Sequence, residues 1–335
     1  MREGARRRHA RARVKLAIAT TVRRWDASMD QWLRYHRAVG FDRFYVFCDQ
    51  PSIAPAAAPA ELSLIQCDAA HWQRFGLHPL AVRLDAARRM NGPDWREPEF
   101  LMLRQSLNAE FALFLANQEK IAWLLHIDGD ELFDPGHHAL AAHFSKLDAD
   151  GVEQARYLNK EAVVWGDGAE DFFGQLTLFK INPKLLSPAQ WDVIRRVMGE
   201  QPYFLAYANG KSAIRVAAAA ASSGVHGFRK RDGGRERSVF SEPAILHYPY
   251  ADYARFLVRH EAADAEPAAI VLGPDWRPPA LFAIAKLPRV PGKPDAMRPI
   301  FDRWVALNDA AGRQALIDAR VIDVVNGPAR ILGSG

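Results

Sequence analysis

The sequence predicts an α/β fold in which helices flank a mixed β-sheet, and three observations lead to this class. Near-continuous apolar runs of strand length, at 14–21, 41–48 and 121–127, are typical of strands that are buried on both faces. A helical pattern lies between the first two runs, which gives the strand-helix-strand order of a parallel unit. Beyond residue 150 the apolar runs are shorter and alternate with polar residues, which favours antiparallel or mixed strands.

Turn and cap residues mark the ends of the first elements. Asp26 is a good helix N-cap and Gly40 a good helix end, so the first helix lies between them. A Pro/Ala-rich loop follows the second strand, and a third strand is expected at 61–67. Cys48 and Cys67 end the second and third strands without a Cys-x-x-Cys spacing. This excludes a disulfide framework and a zinc finger and predicts two buried free thiols.

The clearest helix spans 99–118, because its apolar residues recur at spacings of three and four. A second face of this helix is polar and carries Arg104, Gln105 and Asn108. Later strands are expected at 175–181 and 242–247. A helix is expected at 301–308, with Trp304 on its buried face.

The positive charge is concentrated in the first fifteen residues, which hold seven of the 44 basic residues and one of the 39 acidic ones. The remaining 37 basic and 38 acidic residues nearly cancel, so the folded part lacks the broad basic field that nucleic-acid binding needs. The chain divides into a basic disordered arm (1–13), a folded domain (14–262) and a Pro-rich wrapping segment with C-terminal helices (263–335). The arm is either solvated or in peripheral contact with an anionic membrane. Because no signal peptide or apolar run of membrane-spanning length is present, we expect a cytoplasmic protein.

Three carboxylates follow the apolar strand at 121–127, namely those of Asp128, Asp130 and Glu131. Gly129 relaxes the backbone between the two aspartates, so both could hold one hard divalent cation while phosphate oxygens of a substrate fill its other positions. Mn²⁺ or Mg²⁺ would suit such oxygens. The position at the end of a buried strand is what favours a binding site over a simple acidic turn.

Two further clusters carry groups that suit a phosphate or a metal. Lys211 and Arg215 are four residues apart, so on a strand they project to one side and both could reach a diphosphate. Asn209 and Gly210 could present backbone donors to it, or form an ordinary hairpin turn with exposed cations. His247 ends the strand predicted before it, where a neutral imidazole could complete an Asp/Asp metal site.

These motifs occur together in the order seen in one known family. The matching segments are Trp32-Leu33-x-Tyr35-His36-x-x-x-Gly40-Phe41-Asp42-Arg43-Phe44-Tyr45, Trp123 through Leu132, Tyr203-Phe204-x-x-Tyr207-x-Asn209-Gly210-Lys211-Ser212-Ala213-x-Arg215, His226-Gly227 and Leu246-His247-Tyr248. On these segments, which span about residues 14–262, the chain resembles glycosyltransferases of family 92 and the family 2-like type. Within these it is most similar to the KOBITO-type glycosyltransferase-like proteins. The resemblance implies the GT-A fold, a Rossmann-like mixed sheet flanked by helices.

The resemblance also implies a metal-dependent hexosyltransferase that moves a sugar from a nucleoside-diphosphate sugar, with UDP favoured, to a saccharide in polysaccharide assembly. Asp128 and Asp130 then stand for the family's Asp-x-Asp motif, which holds Mn²⁺ (or Mg²⁺) against the donor diphosphate, and His247 is expected to be a further metal ligand. The residues expected to bind the donor are Thr20, Thr21, Asp49, Gln105, Asn209, Lys211 and Arg215.

An inverting sugar transfer needs a carboxylate beside the acceptor hydroxyl. Glu170 and Asp171 are the first candidates for this general base, and Glu131 is the alternative. Two other functions stay open. One is a catalytically silent protein of the same fold that binds a glycan or a partner. The other is a nucleotide-sugar pyrophosphorylase, which would carry a Gly-rich loop after the first strand where this chain has Thr20-Thr21-Val22-Arg23-Arg24.

Overall fold

A computed structural model describes residues 14–52, 58–75, 101–230, 235–239, 242–261 and 297–333. Within those ranges the strands are β1 (Leu16–Val22), β2 (Arg43–Cys48), β3 (Leu62–Gln66), β4 (Trp123–His126), β5 (Glu131–Asp134), β6 (Gln154–Tyr157), β7 (Asn159–Ala162), β8 (Leu178–Lys180), β9 (Lys211–Arg215), β10 (Ala219–Ser222), β11 (Phe228–Lys230), β12 (Glu236–Val239), β13 (Ala244–His247) and β14 (Ile322–Val324). The α-helices there are α1 (Ala27–Val39), α2 (Ala69–Phe75), α3 (Leu101–Gln118), α4 (Leu140–Ala149), α5 (Phe172–Gln175), α6 (Pro188–Met198), α7 (Tyr253–Glu261), α8 (Arg298–Trp304), α9 (Ala310–Asp318) and α10 (Gly327–Leu332). The predicted arm at 1–13 and residues 262–296 of the Pro-rich segment lie outside the described residues.

The larger sheet has seven strands in the order β12-β6-β9-β4-β1-β2-β3. β3, β2, β1 and β4 run parallel to one another, whereas β9 runs antiparallel to both β4 and β6. The chain adds β2 and β3 on one side of β1 and then returns to place β4 on the other side. The point between β1 and β4 is therefore a topological switch, at which open α/β sheets bind ligands beyond the carboxyl ends of their strands.

Helices cover both faces of this sheet. Trp32 of α1 is fully buried in the core on one face, and Ala109 and Ala112 of α3 pack on the other. Asp26 caps α1 by accepting a hydrogen bond from the Ser28 amide, and Gly40 ends it in a left-handed conformation with φ of 113°. The prediction of an α/β fold with a mixed sheet flanked by helices is confirmed.

A second sheet of five strands, in the order β14-β8-β7-β13-β5, lies beside the first. Two of the crossings between the sheets are short, since residues 127–130 lead from β4 to β5 and Leu158 alone leads from β6 to β7. The C-terminal residues complete this sheet with β14, and Phe301 and Leu332 join the core that contains Trp32. A smaller two-stranded sheet pairs β10 with β11.

Several strand and helix bounds differ from those expected. The segment 175–181 holds the end of the short α5 and then β8, because a helical turn at Phe172 precedes the strand. The C-terminal helix is α8, which starts earlier than 301–308, and Phe301 rather than Trp304 is its fully buried residue. The helix expected at 99–118 is α3, and residues 99 and 100 lie outside the described part of the chain. None of the helices in the described ranges is long and apolar enough to span a membrane.

Candidate functional site

A four-residue connection at the switch point carries the candidate site. β4 ends at His126, and the chain then forms a turn through Asp128, Gly129 and Asp130 before β5 begins at Glu131. The Glu131 amide donates to the Asp128 carbonyl at 3.1 Å, which closes the turn. The two aspartates therefore lie beyond the carboxyl end of β4, at the place where an α/β sheet binds ligands.

Three aromatic side chains of α1 hold the backbone that follows this turn. Trp32 donates from Nε1 to the Glu131 carbonyl at 2.8 Å, and the Tyr35 hydroxyl lies 3.3 Å from the Phe133 carbonyl. His36 accepts at Nε2 from the Phe133 amide at 3.1 Å, so its proton is on Nδ1, 2.8 Å from the Trp32 carbonyl. Burial lowers the pKa of His36 to about 3, which keeps it neutral. The Trp-Leu-x-Tyr-His segment thus fixes β5 against α1.

Close packing requires glycine at position 129. A Cβ added there would lie 2.5 Å from Val22 Cγ1 and 3.3 Å from Met29 Sδ. Separations under 3 Å force a neighbour to move, so a larger residue does not fit unless β1 or α1 shifts. The small residue between the aspartates is therefore explained by the close approach of the turn to the end of β1.

Lys211 binds the first aspartate. Its Nζ lies 2.7 Å from Asp128 Oδ2, 3.7 Å from Glu131 Oε2 and 3.2 Å from the Val225 carbonyl, and its side chain is fully buried. Burial alone would lower the pKa of Lys211, but the two carboxylates outweigh it and raise that pKa. Burial would likewise raise the pKa of Asp128, yet Lys211 holds it below its ordinary value. Gln105 Nε2, from α3, is 3.4 Å from the other Asp128 oxygen.

Glu131 lies beneath the turn and is completely buried. Its Oε2 accepts a hydrogen bond from the Asp128 amide at 2.7 Å, while its Oε1 has no hydrogen-bond partner among the described residues. Burial raises the pKa of Glu131 to about 8, despite the nearby Lys211. The raised pKa favours the protonated form of Glu131 beside the Lys211–Asp128 ion pair.

The second aspartate faces a histidine. His247 is the last residue of β13 and is paired across the sheet with Glu131, and its Nε2 lies 3.7 Å from Asp130 Oδ2. Burial alone would lower the pKa of His247, but Asp130 with the neighbouring glutamates raises it. The imidazole packs against the Tyr207 ring, with 5.0 Å between the ring centres. Within the described part of the chain, His247 Nδ1 has no hydrogen-bond partner.

The donor set fits a divalent metal in part. A carboxylate and an imidazole nitrogen, as in Asp130 and His247, are ligands that Mn²⁺ accepts. Among the described residues, His247 Nδ1 and Glu131 Oε1 have no hydrogen-bond partner, nor do the two ring nitrogens of His126, which lies near Lys211 and Asp128. Such atoms normally bind a partner, an ion or water. However, no three His, Cys, Asp or Glu side chains of the described residues converge on one metal position, because Asp128 is turned toward Lys211.

Two of the expected donor-binding residues, Thr21 and Asp49, lie on the α3 side of the same edge, whereas Thr20 is on the opposite face of β1 with Leu16 and Ile18. Thr21 accepts from Asn108 Nδ2 at 3.1 Å, and Asp49 forms two hydrogen bonds with Arg104, at 2.7 and 2.6 Å. Thr20 is buried, and among the described residues its hydroxyl has no partner. The polar face of α3 therefore supplies Arg104 and Asn108 to the edge, a role that the sequence indicated only through their shared face.

Arg215 and Asn209 do not join the turn. β9 is antiparallel to β4, so Lys211 lies at the carboxyl end of β4 while Arg215 pairs with Trp123 at its start, about 13 Å away at 3.3 Å per residue. Arg215 instead contacts Asp148 at 3.0 Å. The expectation that both cations reach one diphosphate therefore does not agree with the strand direction. Asn209 is exposed and accepts from Lys184 Nζ at 3.2 Å.

The candidate bases occupy different environments. Glu170 is exposed, whereas Asp171 is half-buried at the start of α5 and its Oδ1 has no partner among the described residues. Phe172 and Phe173, the next two residues, pack on the ring of Tyr248, which follows His247 in the chain. These rings connect the start of α5 to the end of β13. Tyr207, the ring that packs against His247, belongs to one of the segments that carry the family resemblance, but no role was predicted for it.

Comparison with known proteins gives sequence relatives but no family. No protein-family model matches the chain. Two glycosyltransferase-like proteins of Arabidopsis thaliana are 27% and 25% identical to it over 268 and 277 residues, or 76% and 78% of this chain. The chain spans 57% and 52% of their lengths, about half of each relative.

Two solved structures are also similar to the chain. Core-mannan synthase A of Aspergillus fumigatus, in a Mn/GDP form, matches 62% of this chain and 60% of its own at 10% identity, with a TM-score of 0.29. A mannosyltransferase of S. cerevisiae matches 43% and 39% at 8% identity, with a TM-score of 0.27. Scores this low carry no argument about the chain, whose similarity to known proteins therefore rests on the two glycosyltransferase-like sequences.

Proposed function

We propose that the chain is a metal-dependent glycosyltransferase that moves a sugar from a nucleoside-diphosphate sugar to a saccharide acceptor. The observation that carries this proposal is the pairing of Asp130 with His247 at the switch point, 3.7 Å apart and beside the Lys211–Asp128 pair. A metal ligand set next to a fixed cation suits a substrate with a charged diphosphate. The sequence similarity to two glycosyltransferase-like proteins supports the same class.

Asp130 and His247 would hold the Mn²⁺ or Mg²⁺ ion. When bound, the metal would neutralise the charge that grows on the leaving diphosphate. Asp130 is 30% exposed and faces solvent, whereas His247 is buried and oriented by the Tyr207 ring. The protein therefore supplies one accessible carboxylate and one fixed nitrogen at this edge.

The nucleoside would lie on the side of the site formed by β1, β2 and α3. Thr21 and Asp49 stand at the ends of their strands there, and Arg104 and Asn108 hold them through hydrogen bonds. Groups fixed in this way can select a ligand without first paying the entropy of ordering. A UDP-sugar is the donor that the resemblance favours, and a GDP-sugar is the first competitor to test.

Of the three candidates for the general base, Asp171 is the one that we favour. Its half-buried carboxylate keeps an oxygen without a partner among the described residues, whereas Glu170 is exposed. Glu131 is fully buried and accepts the Asp128 amide, so its contacts favour holding the turn over reaching an acceptor. We expect Asp171→Asn to lower kcat strongly with little change in donor Kd.

Thermal unfolding with Mn²⁺ and nucleotides tests the proposal. A ligand at 100 times its Kd stabilises the folded chain by about 2.7 kcal/mol, so we expect Tm to rise when Mn²⁺ and UDP or GDP are present together. Asp130→Asn should abolish the rise, and Asp192→Asn, at an exposed helix position, should keep it. If no nucleotide shifts Tm with Mn²⁺, the enzyme assignment fails and a silent glycan-binding protein becomes the better interpretation.

A further inference from the structure

The two aspartates of the turn are held in different ways. Asp128 is bound on both oxygens, by Lys211 Nζ at 2.7 Å and by Gln105 Nε2 at 3.4 Å. Asp130 instead faces the Nε2 of His247 at 3.7 Å. Asp128 therefore forms an ion pair with a buried lysine, and Asp130 adjoins the nitrogen ligand.

The cation that binds Asp128 is itself fixed. Lys211 is fully buried, and its ammonium also contacts the Val225 carbonyl at 3.2 Å and Glu131 Oε2 at 3.7 Å. It lies 5.1 Å from the centre of the Tyr207 ring, a favourable cation–π distance. Two of the three ammonium donors form hydrogen bonds, to Asp128 and to the Val225 carbonyl, while Glu131 lies at ion-pair distance. Lys211 cannot leave Asp128 without losing its other partners.

We propose that Lys211 is a positioning residue that keeps Asp128 out of the metal's coordination, so that Asp130 and His247 are the metal's protein ligands. This inference rests on the proposed function and specifies how the site works. Two protein ligands leave most positions of a six-coordinate ion to be filled, and the donor diphosphate has the oxygens to fill them. The metal should therefore bind weakly by itself and tightly together with a nucleoside diphosphate.

Mn²⁺ binding to variants that keep Lys211 distinguishes the roles of the two aspartates. We would measure free Mn²⁺ by electron paramagnetic resonance, with UDP or GDP present, in Asp128→Asn and Asp130→Asn. Losing a ligand should weaken binding by about tenfold or more, as expected for Asp130→Asn. Losing only a nearby charge should weaken it by about threefold, as expected for Asp128→Asn. Equal losses in the two variants would overturn the inference.

Removing the lysine tests the same point from the other side. Lys211→Met should free Asp128, so that Mn²⁺ without nucleotide binds about tenfold tighter than to the original chain. Adding Asp128→Asn to Lys211→Met should cancel that gain. A gain that survives Asp128→Asn would come from the lost positive charge alone and would contradict a positioning role.

Arg43→Met is the matched control, because Arg43 is also largely buried and paired with a glutamate, Glu119, at 2.6 Å, but lies at the start of β2, at the opposite end of the sheet. It should lower Tm and leave Mn²⁺ affinity unchanged. If Lys211→Met does not fold, the comparison of Asp128→Asn with Asp130→Asn still decides. Mn²⁺ that fails to bind with either nucleotide would refute the proposed function itself, whereas tight binding with equal aspartate effects would refute only the role of Lys211.

Discussion

Two lysines of the described residues are fully buried against carboxylates, and the two clusters differ in how many of the partner groups are hydrogen-bonded. Lys180 lies 3.3 Å from Glu161 in the second sheet, and both side chains are inaccessible to solvent or nearly so. Lys211 is equally buried in the first sheet, but Asp128 keeps 24% of its side-chain surface exposed and Glu131 keeps an oxygen without a described partner.

The acceptors of Glu161 are all occupied. Its carboxylate also accepts from the backbone amides of Leu205 and Ala206, at 2.9 Å each, and so fixes the segment that leads to Tyr207. A buried pair with every group satisfied holds structure. In the described part of the chain, the Lys211 cluster leaves Glu131 Oε1 without a hydrogen-bond partner beside the partly exposed Asp128. Such a group normally binds a ligand, an ion or water.

The largest expected effect comes from breaking the satisfied pair. Glu161→Gln should reduce the free energy of unfolding by about 3–5 kcal/mol, because it leaves Lys180 as an uncompensated buried charge. Urea unfolding at pH 7 measures this loss. The control is Glu200→Gln, at a residue whose side chain is 81% exposed, which should stay within about 0.5 kcal/mol of the original chain. A loss below about 1 kcal/mol for Glu161→Gln would erase the contrast between the two clusters.

In the Lys211 cluster, the corresponding substitution is Glu131→Gln, and it should alter how the free energy of unfolding depends on pH. The pKa of Glu131 is about 8 when folded and near 4.5 when unfolded, so between these values the folded chain binds a proton that the unfolded chain does not. Stability therefore falls as pH rises through this window, by about 1.4 kcal/mol per unit. Glu131→Gln removes this dependence, and its stability relative to the original chain should grow by about 3 kcal/mol from pH 5 to pH 7. Parallel stability profiles for the two proteins would show that Glu131 is ionised in the fold.

A smaller effect is expected from adding a methyl group inside the turn. Gly129→Ala should cost about 1–3 kcal/mol, because its Cβ would lie 2.5 Å from Val22 Cγ1. Val22→Ala removes that contact and should recover most of the loss in the double variant, as measured by thermal unfolding. No recovery would mean that position 129 needs glycine for its backbone rather than for space.

The smallest effect should come from the second residue that holds Asp128. Gln105→Ala removes a contact of 3.4 Å, longer than a well-formed hydrogen bond, so stability should change by less than about 0.5 kcal/mol. A loss above about 1 kcal/mol, seen by urea unfolding, would mean that Gln105 and Lys211 hold Asp128 jointly.

The first half of the fold could be predicted because its signals are local. Asp26 and Gly40 mark the ends of α1, and the apolar runs around it are long enough to identify buried parallel strands. In the second sheet β8 and β13 were expected at 175–181 and 242–247, but their assembly into a separate sheet could not be predicted from strands of three or four residues. Their pairing depends on long-range packing rather than on any local pattern.

The sequence predicted which residues lie at the edge of the candidate site but not which groups their side chains contact. Asp128, Asp130 and His247 were each expected where a strand ends, and the structure places them at one edge. Lys211 was expected to meet phosphate, yet it lies buried on Asp128, because only the packed β9 decides which group the ammonium reaches. Arg215 was misplaced for a related reason, since side-chain alternation gives the face of a strand and not its direction relative to β4.

The turn that carries the aspartates also joins the two sheets, since β4 belongs to the larger one and β5 to the smaller one. The Tyr248 amide donates to the Asp130 carbonyl at 2.9 Å, so β13 is attached to the same turn. A molecule bound there would restrain strands of both sheets at once. Amide hydrogens of β4, β5 and β13 should then exchange with solvent more slowly as a group. This shared protection would show that the turn and the three strands form one cooperative unit.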